Sequence, residues 1–398
     1  MILPLAYRLW RTTDARVLWK FGYNFGLKGV CSVQRFKRRL RRGQVFPPFL
    51  YLSITNSCNL RCRGCWVDVE APAAQMSLDE INRVIETAKR HGNSFFGILG
   101  GEPFLHPDLM RIFKSHSGCY FQVFTNGYFL TDEAAAELRR AGNVTPLISI
   151  EGRELVSTER RGGRDVYRRA LSAIEASVRN RLITGVATSV CQSNYDELVS
   201  EAWIDELIRR GVHYVWFYTY RPVGPDPAVH LALRTEQIVE LRRFVMDMRR
   251  RKAIGIIDAY WDDQGRALCP AATGISHHIG PWGDIEPCPV VQFARENIKD
   301  NGRDVYQAIT KSEFLADFRR TAAEVSRGCI ILERPDLLRQ IVERQRAHDT
   351  TARRAAMAEL EAMRPLSSQH CPGHELPEQT WLYRQAKRYW FFGFGAYQ

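Results

Sequence analysis

The segment ITNSCNLRCRGCW places Cys58, Cys62 and Cys65 in a C-x3-C-x2-C spacing directly after an apolar run. A compact loop with three thiolates can occupy three corners of a cubane [4Fe-4S] cluster and leave the fourth iron open to a small chelating ligand. A tetrahedral zinc site would want a fourth protein ligand close by, and the neighbouring sequence offers none; free thiols are the other alternative. Further polar or Gly-rich turns follow: GGEP (Gly100, Gly101, Glu102, Pro103), FTNG with Asn126, LISIEG with Ser149 and Glu151, and ERRGGR with Arg160 and Arg161. Glycines let backbone approach a ligand closely, and a guanidinium can pair with a carboxylate. Each also has a plain alternative: a Gly turn for GGEP, a tight Asn-Gly turn at Asn126, and a solvated loop residue for either arginine.

These turns fall at the ends of apolar runs. Runs at 49–55, 95–99, 120–125, 146–150, 183–190 and 214–218 alternate with helical stretches at 78–90, 107–115, 131–141, 164–179 and 195–210. Six strands alternating with helices predict an α/β fold of parallel strands joined by crossover helices, in an open sheet or a barrel with its chemistry at the strand ends. The alternation stops in the proline-rich stretch after Pro222. The domains expected are a basic N-terminal arm (1–48), the barrel (49–225), a helical connector (226–265), a cysteine-bearing region (266–375) and an aromatic tail (376–398). A long charged surface helix is expected over 335–363.

The composition is that of an ordinary globular protein, and 398 residues suffice for one large domain and an appendage. No run of about twenty apolar residues is available to cross a membrane. The opening MILPLAYRLW is interrupted by Arg8 too early for a secretory signal, so a cytoplasmic protein is expected. In that compartment ten cysteines read as thiols and metal ligands rather than disulfides. Cys31, Cys119 and Cys191 read as small structural hydrophobes, although Cys191 follows a strand and could face a substrate.

The net charge of +12 is concentrated at one end: residues 1–48 hold eleven Lys or Arg against Asp14 alone. Mixed with Leu5, Leu9, Trp10, Val17, Leu18, Trp19, Phe21 and Phe25, and ending in RFKRRLRR at 35–42, this segment suits an interfacial helix on anionic lipid. Nucleic acid or simple solubility are the other uses of such charge. The last stretch, WLYRQAKRYWFFGFGAYQ, has eight aromatic residues and no acid, a composition a membrane interface accepts. Alternatively, both termini pack together on the barrel.

In this order and spacing the motifs resemble the radical S-adenosylmethionine (radical SAM) superfamily, in particular its members with a C-terminal auxiliary-cluster region of SPASM or Twitch type. The resemblance runs over roughly 49–290 and extends to 372. It implies a partial (β/α)6 TIM-type barrel in which S-adenosyl-L-methionine chelates the open iron of the cluster held by Cys58, Cys62 and Cys65. One electron, from an external donor of flavodoxin or ferredoxin type, then cleaves the sulfonium to methionine and a 5′-deoxyadenosyl radical that abstracts hydrogen.

The same resemblance implies that Gly100, Gly101, Glu102 and Pro103 bind the cofactor's amino group, and that Ser149 and Glu151 reach its ribose and carboxylate. Arg161, or equally Arg160, contacts the carboxylate, and Asn126 belongs to another recurrent turn. Many relatives have an aromatic residue just before the third cysteine; here Gly64 stands there, and Trp66 follows. Cys269 and Cys288 resemble the start of a SPASM-type region, and with Cys329 and Cys371 they could close a second [4Fe-4S] cluster. The clustered later cysteines of a full SPASM pattern are missing. His277, His278, His370 and His374 lie nearby as further ligand or acid-base candidates.

The expected function is a radical SAM oxidoreductase or bond-forming enzyme acting on a membrane-associated lipid or isoprenoid substrate, peripheral at the inner membrane face. The alternatives are a peptide- or protein-modifying maturase and a non-catalytic iron-sulfur or nucleic-acid-binding protein. The intact cluster and cofactor motifs argue against nucleic acid.

Overall fold

In the computed structural model the described residues are 2–300 and 304–390. Six strands, β1 (Phe49–Ser53), β2 (Phe95–Leu99), β3 (Tyr120–Thr125), β4 (Val144–Ser149), β5 (Gly185–Val190) and β6 (Tyr214–Thr219), lie side by side, parallel and in sequence order. Helical crossovers impose that arrangement. The first crossover, Leu78–Arg90, begins at a reciprocal cap in which Glu80 N donates to Ser77 Oγ and Ser77 N donates to Glu80 Oε2. Its buried face, Ile81, Val84, Ile85 and Ala88, packs into the core between sheet and helices.

Three strands beyond the expected barrel extend the sheet. β7 (Gly255–Ile257) pairs with β6, β8 (Ser276–Ile279) runs parallel to β1 on its other side, and β9 (Ile285–Glu286) is antiparallel to β8. The result is a nine-stranded partial barrel, unpaired between β7 and β9. The stretch expected as a connector and that expected as an auxiliary region therefore each lend strands to the main sheet.

The single long helix expected over 335–363 is two helices, Pro335–Gln345 and Ala356–Ala362. Arg346 adopts a left-handed φ of 52° and closes the first one. His348–Asp349 (β11) then pairs with Phe293–Ala294 (β10) before the second begins.

The basic N-terminal segment is folded onto the barrel. Helices Ile2–Thr12 and Ala15–Lys20, a π-helical turn Phe21–Leu27 and helix Lys28–Leu40 pack at the N-terminal ends of the strands. Several cations end on backbone carbonyls where crossover helices finish: Arg8 donates to Val212 O (3.0 Å), Lys20 to Ala141 O (2.8 Å) and Lys28 to Gly118 O (2.9 Å). Helix C-termini expose such acceptors and their partial negative charge.

The last described helix, Trp381–Tyr389, docks beside this segment, and Trp390 Nε1 donates to Phe25 O at 3.1 Å. Buried charges latch it: Lys387 donates to Asp258 (2.8 Å), which with Glu378 also receives Arg249. Both termini thus pack on the barrel, although residues 391–398 of the aromatic tail lie outside the described residues. No described helix is long and apolar enough to cross a membrane.

Candidate active site

The cysteine loop leaves the end of β1 and is laced to the turn after β2. Gly101 N donates to Thr55 O (2.7 Å) and Glu102 N to Ser57 O (2.8 Å). A Cβ on Gly101 would stand 2.3 Å from Ser57 O, so only glycine permits this approach. Asn56 draws the far end of the loop back, accepting from Ala74 N (2.8 Å) and donating to Pro72 O (3.1 Å). The turn after β3 also closes on the loop: Asn126 Nδ2 donates to Asn59 Oδ1 (2.8 Å) and sits 3.9 Å from Cys58 Sγ.

Cys58, Cys62 and Cys65 are half-exposed at the residue level. Burial pushes the Cys65 thiol up to about 12, with the Cys62 and Cys58 sulfurs adding to the rise. Burial likewise raises Cys58, with Cys62 contributing. Thiols crowded this way need a positively charged metal group to become thiolates. Among the described residues no three His, Cys, Asp or Glu side chains are gathered tightly enough for a single metal ion. A zinc site would require that; a cubane, whose thiolates bind different irons, does not. What fits the set to a cluster is its chemistry, three free thiols on one short loop.

The GGEP carboxylate, expected to meet a cofactor amino group, is turned inward. Glu102 is fully buried and accepts from Thr125 Oγ1 (2.8 Å), Asn126 N (2.8 Å) and Phe104 N (3.1 Å). Burial lifts it to about 7 and these bonds pull it back. It is a brace between the turns after β2 and β3. Pro103 opens a buried 3-10 turn.

Ser149, Glu151, Arg160 and Arg161 do wall a cavity of about 360 Å³ at the C-terminal ends of the strands, together with Cys62 and Cys65. Arg161 Nη2 donates to Glu151 Oε1 (2.5 Å), and Nη1 lies 4.0 Å from Cys62 Sγ. Glu151 Oε2 accepts from Ser189 N (2.9 Å). Arg161 Nε has no partner among the described residues, which leaves one donor for a ligand carboxylate. Arg160 instead stacks over Tyr220 at 4.8 Å and donates to Arg63 O. Of the two arginines, Arg161 is thus the one beside the thiols.

The missing aromatic has a steric cause. Gly64 sits at φ +70°, and a Cβ there would fall 1.8 Å from the Tyr220 hydroxyl. Tyr220 and Trp66 both line the cavity.

Cys288 and Cys329 also line the cavity. Burial raises the Cys288 thiol strongly, with Cys269 and Cys329 adding to it, and raises Cys269 to about 11, again with Cys329. These three form the second thiol group. Cys371 is held apart: its Sγ faces Ser368 O (3.6 Å), and it lines a separate cleft with Arg327, His370 and His374. His277 is buried, its ring driven down to about 3 by burial and Arg319. His278 is tied between Ser53 and Glu286. Cys119 and Cys191 are buried as expected, whereas Cys31 is exposed.

Sequence reasoning missed the cavity's other wall. Arg221, just past β6, donates to Tyr260 Oη (3.0 Å) and stacks on that ring at 4.6 Å. Burial alone would lower its pKa, but Tyr260, Cys329 and Cys288 outweigh it and the value rises. Trp216 and Tyr218, stacked 5.1 Å apart, complete the floor. Their position at the end of a barrel strand was the available signal.

A family model described as "Radical SAM superfamily" matches residues 52–199. The GTP 3′,8-cyclase of Parasynechococcus marenigrum is 26% identical over 51% of this chain and 64% of its own length. The AdoMet-dependent heme synthase of Methanosarcina barkeri is 26% identical over 43% of this chain and 50% of its own. The chain thus spans half to just under two thirds of these curated relatives. Among solved structures, Streptococcus suis SuiB bound to its precursor peptide SuiA superposes with a TM-score of 0.60 at 15% identity, covering 72% of this chain and 70% of SuiB. The cysteine loop and its lacing turns lie inside the matched span, so it is over residues 52–199 that the chain is similar to the radical SAM superfamily.

Proposed function

We propose that the protein is a radical SAM enzyme that removes a hydrogen atom from a membrane-associated lipid or isoprenoid substrate. The observation that carries this reading is the cavity at the strand ends, lined by members of both thiol groups together with Trp66, Phe124, Trp216 and Tyr218. Such rings favour an apolar substrate. Cys58, Cys62 and Cys65 would hold the SAM-binding cluster. The Gly100–Gly101 backbone, Ser149 and the Arg161–Glu151 pair would hold the cofactor, with Asn126 steadying the loop. When bound, cluster and cofactor supply a 5′-deoxyadenosyl radical by one-electron cleavage of the sulfonium, the electron coming from an external flavodoxin- or ferredoxin-type donor.

Cys269, Cys288 and Cys329 would hold a second [4Fe-4S] cluster, for which Cys371 is the candidate fourth ligand on a neighbouring loop. Arg221, close to Cys288 and Cys329, would offset thiolate charge there.

A second reading is a peptide maturase. The likeness to SuiB, whose structure holds a precursor peptide, favours it. Anaerobic assay of reconstituted, reduced protein with S-adenosylmethionine separates the two. Formation of 5′-deoxyadenosine stimulated by a lipid extract supports the first reading, and stimulation by a peptide extract alone replaces it with the second.

A further inference from the structure

Below the reactive cavity, the interior of the barrel is hollow. The middle of a closed eight-stranded barrel is filled by layers of side chains. Here a chamber of about 480 Å³ occupies the N-terminal half of the strands, within the size range of small-ligand sites. Phe49, Phe95, Tyr120, Tyr214 and Ile257 wall it from the sheet. Leu5, Leu9, Phe21 and Phe25 close it from the N-terminal helices, and Tyr383 and Ala386 from the last helix. Much of its polar complement is internally paired, Tyr120 Oη with Thr145 Oγ1 (2.6 Å) and Gln122 Nε2 with Tyr214 Oη (3.0 Å). Gln122 Oε1 and Trp216 Nε1 are the wall atoms left buried without a partner among the described residues.

The chamber shares five wall residues with the reactive cavity above it, namely Tyr51, Trp216, Ala259, Pro270 and Ser276. One layer of side chains divides the two, and three of its five members are small. At the other end Val30, Leu382 and Tyr389 both line the chamber and are exposed, so the mouth lies between helix Lys28–Leu40 and helix Trp381–Tyr389.

The N-terminal helices and the last helix carry an unusual surface. Leu3, Tyr7 and Trp10 form one exposed stripe on the first helix, opposite Leu5 and Leu9, and Trp19, Tyr23 and Leu27 form another. Trp10, Trp19 and Trp381 are 71%, 70% and 68% exposed. Arg11, Arg35, Arg38, Arg41 and Arg42 are exposed on the same segment, with no acidic partner among the described residues. Exposed aromatics beside unpaired cations match an anionic bilayer interface.

We infer that the basal chamber is a binding site for the hydrocarbon chain of a membrane lipid, entered from the bilayer through the mouth beside Val30, Leu382 and Tyr389. The substrate's reactive end then reaches the upper cavity past Ala259 and Ser276. This rests on the lipid reading given above and adds to it the route and the seat of the chain. The opposite end of the barrel, where the cofactor residues lie, stays free for the electron donor.

The test uses reconstituted full-length protein and cis-parinaric acid, a linear polyene fatty acid that fluoresces in dry apolar surroundings. Saturable binding is expected, weakened about tenfold or more by Ile257→Trp, which fills the chamber, and by Ala386→Trp, which narrows it from a surface helix. Neither residue lines the upper cavity, so substrate-free cleavage of S-adenosylmethionine should persist in both variants and certify their folding. Unchanged probe binding in both variants overturns the inference. So does binding that is absent in the full chain and emerges on removing residues 391–398, since the chain's own tail would then fill the chamber. A lipid extract should stimulate 5′-deoxyadenosine formation in the parent and not in the two variants. Equal stimulation in all three overturns the chamber and leaves the lipid reading standing; no stimulation in the parent removes the lipid reading itself.

Discussion

The Arg161 guanidinium and the Glu151 carboxylate meet at 2.5 Å in the wall of the upper cavity, and Arg161 Nη1 lies 4.0 Å from Cys62 Sγ. The pair is largely buried. Removing one partner of such a pair strands the other charge and costs about 3–5 kcal/mol. Arg161→Met should lower the unfolding temperature and weaken binding of S-adenosylmethionine, while Glu151→Gln, which keeps an acceptor, should do less of both. Calorimetric titration with the cofactor and thermal unfolding check this; equal cofactor affinity in Arg161→Met would remove the arginine from the site.

The two thiol groups should be separable by metal analysis. Changing Cys58, Cys62 and Cys65 to Ala is expected to abolish 5′-deoxyadenosine formation while leaving iron and the absorbance of the second cluster. Cys288→Ala should lose that second signal, and Cys371→Ala should weaken it, because Cys371 is the candidate fourth ligand; an unchanged signal in Cys371→Ala would remove it from the set. Loss of all iron in the triple variant would show that the second group holds none.

Gly101→Ala should fail by geometry alone. Its Cβ would press on Ser57 O and Asn56 O, both backbone atoms that cannot swing aside. The cysteine loop would have to move, at a cost of order 1–3 kcal/mol, and reconstituted iron at the first site should fall. Full iron loading at unchanged stability would contradict the lacing described between the two turns.

Acid should loosen the N-terminal helices first. His213 accepts Thr184 N at Nδ1 (3.1 Å), so Nε2 carries the proton and donates to Thr12 Oγ1 (2.8 Å). Burial, with Arg8 adding to it, depresses the ring from 6.5 to about 4. A depressed histidine supports the fold fully above its unfolded value and loses that support as pH falls from about 6.5 towards 4, worth about 3 kcal/mol. Hydrogen exchange in residues 2–20 should rise over that window in the parent and stay flat in His213→Gln.

Binding to vesicles should track the exposed face. Sedimentation with phosphatidylglycerol vesicles is expected at low salt and should weaken as salt screens the arginines. Changing Trp10 and Trp19 together to Ala should reduce it without altering cofactor cleavage. Equal binding to neutral and anionic vesicles would assign the arginines no part in it.

Much of the barrel was legible because local signals agreed with the global fold. Ser77 and Glu80 announce a helix start, Gly142 ends another in the left-handed region, and the six apolar runs match six strands within two to three residues. The cofactor turns were legible as types but not as contacts: nothing in GGEP says that its carboxylate turns inward to Thr125 and Asn126. The basic segment was misread as an arm because its partners are carbonyl oxygens such as Ala141 O and Gly118 O, which every residue possesses and no sequence pattern marks. The helix over 335–363 was overextended because charge periodicity runs on through Arg346, whose left-handed backbone has no compositional sign.

The hydrogen bond from Trp390 to Phe25 spans 365 positions of sequence, and both residues wall the basal chamber. Contacts of such separation form only after the intervening chain has largely condensed, and they are early to come apart. The hollow is therefore closed by a contact between the two ends of the described chain. Its wall can open while the nine-stranded sheet stays intact, so that the seat of the hydrocarbon chain and the seat of the metal can have different lifetimes in one molecule.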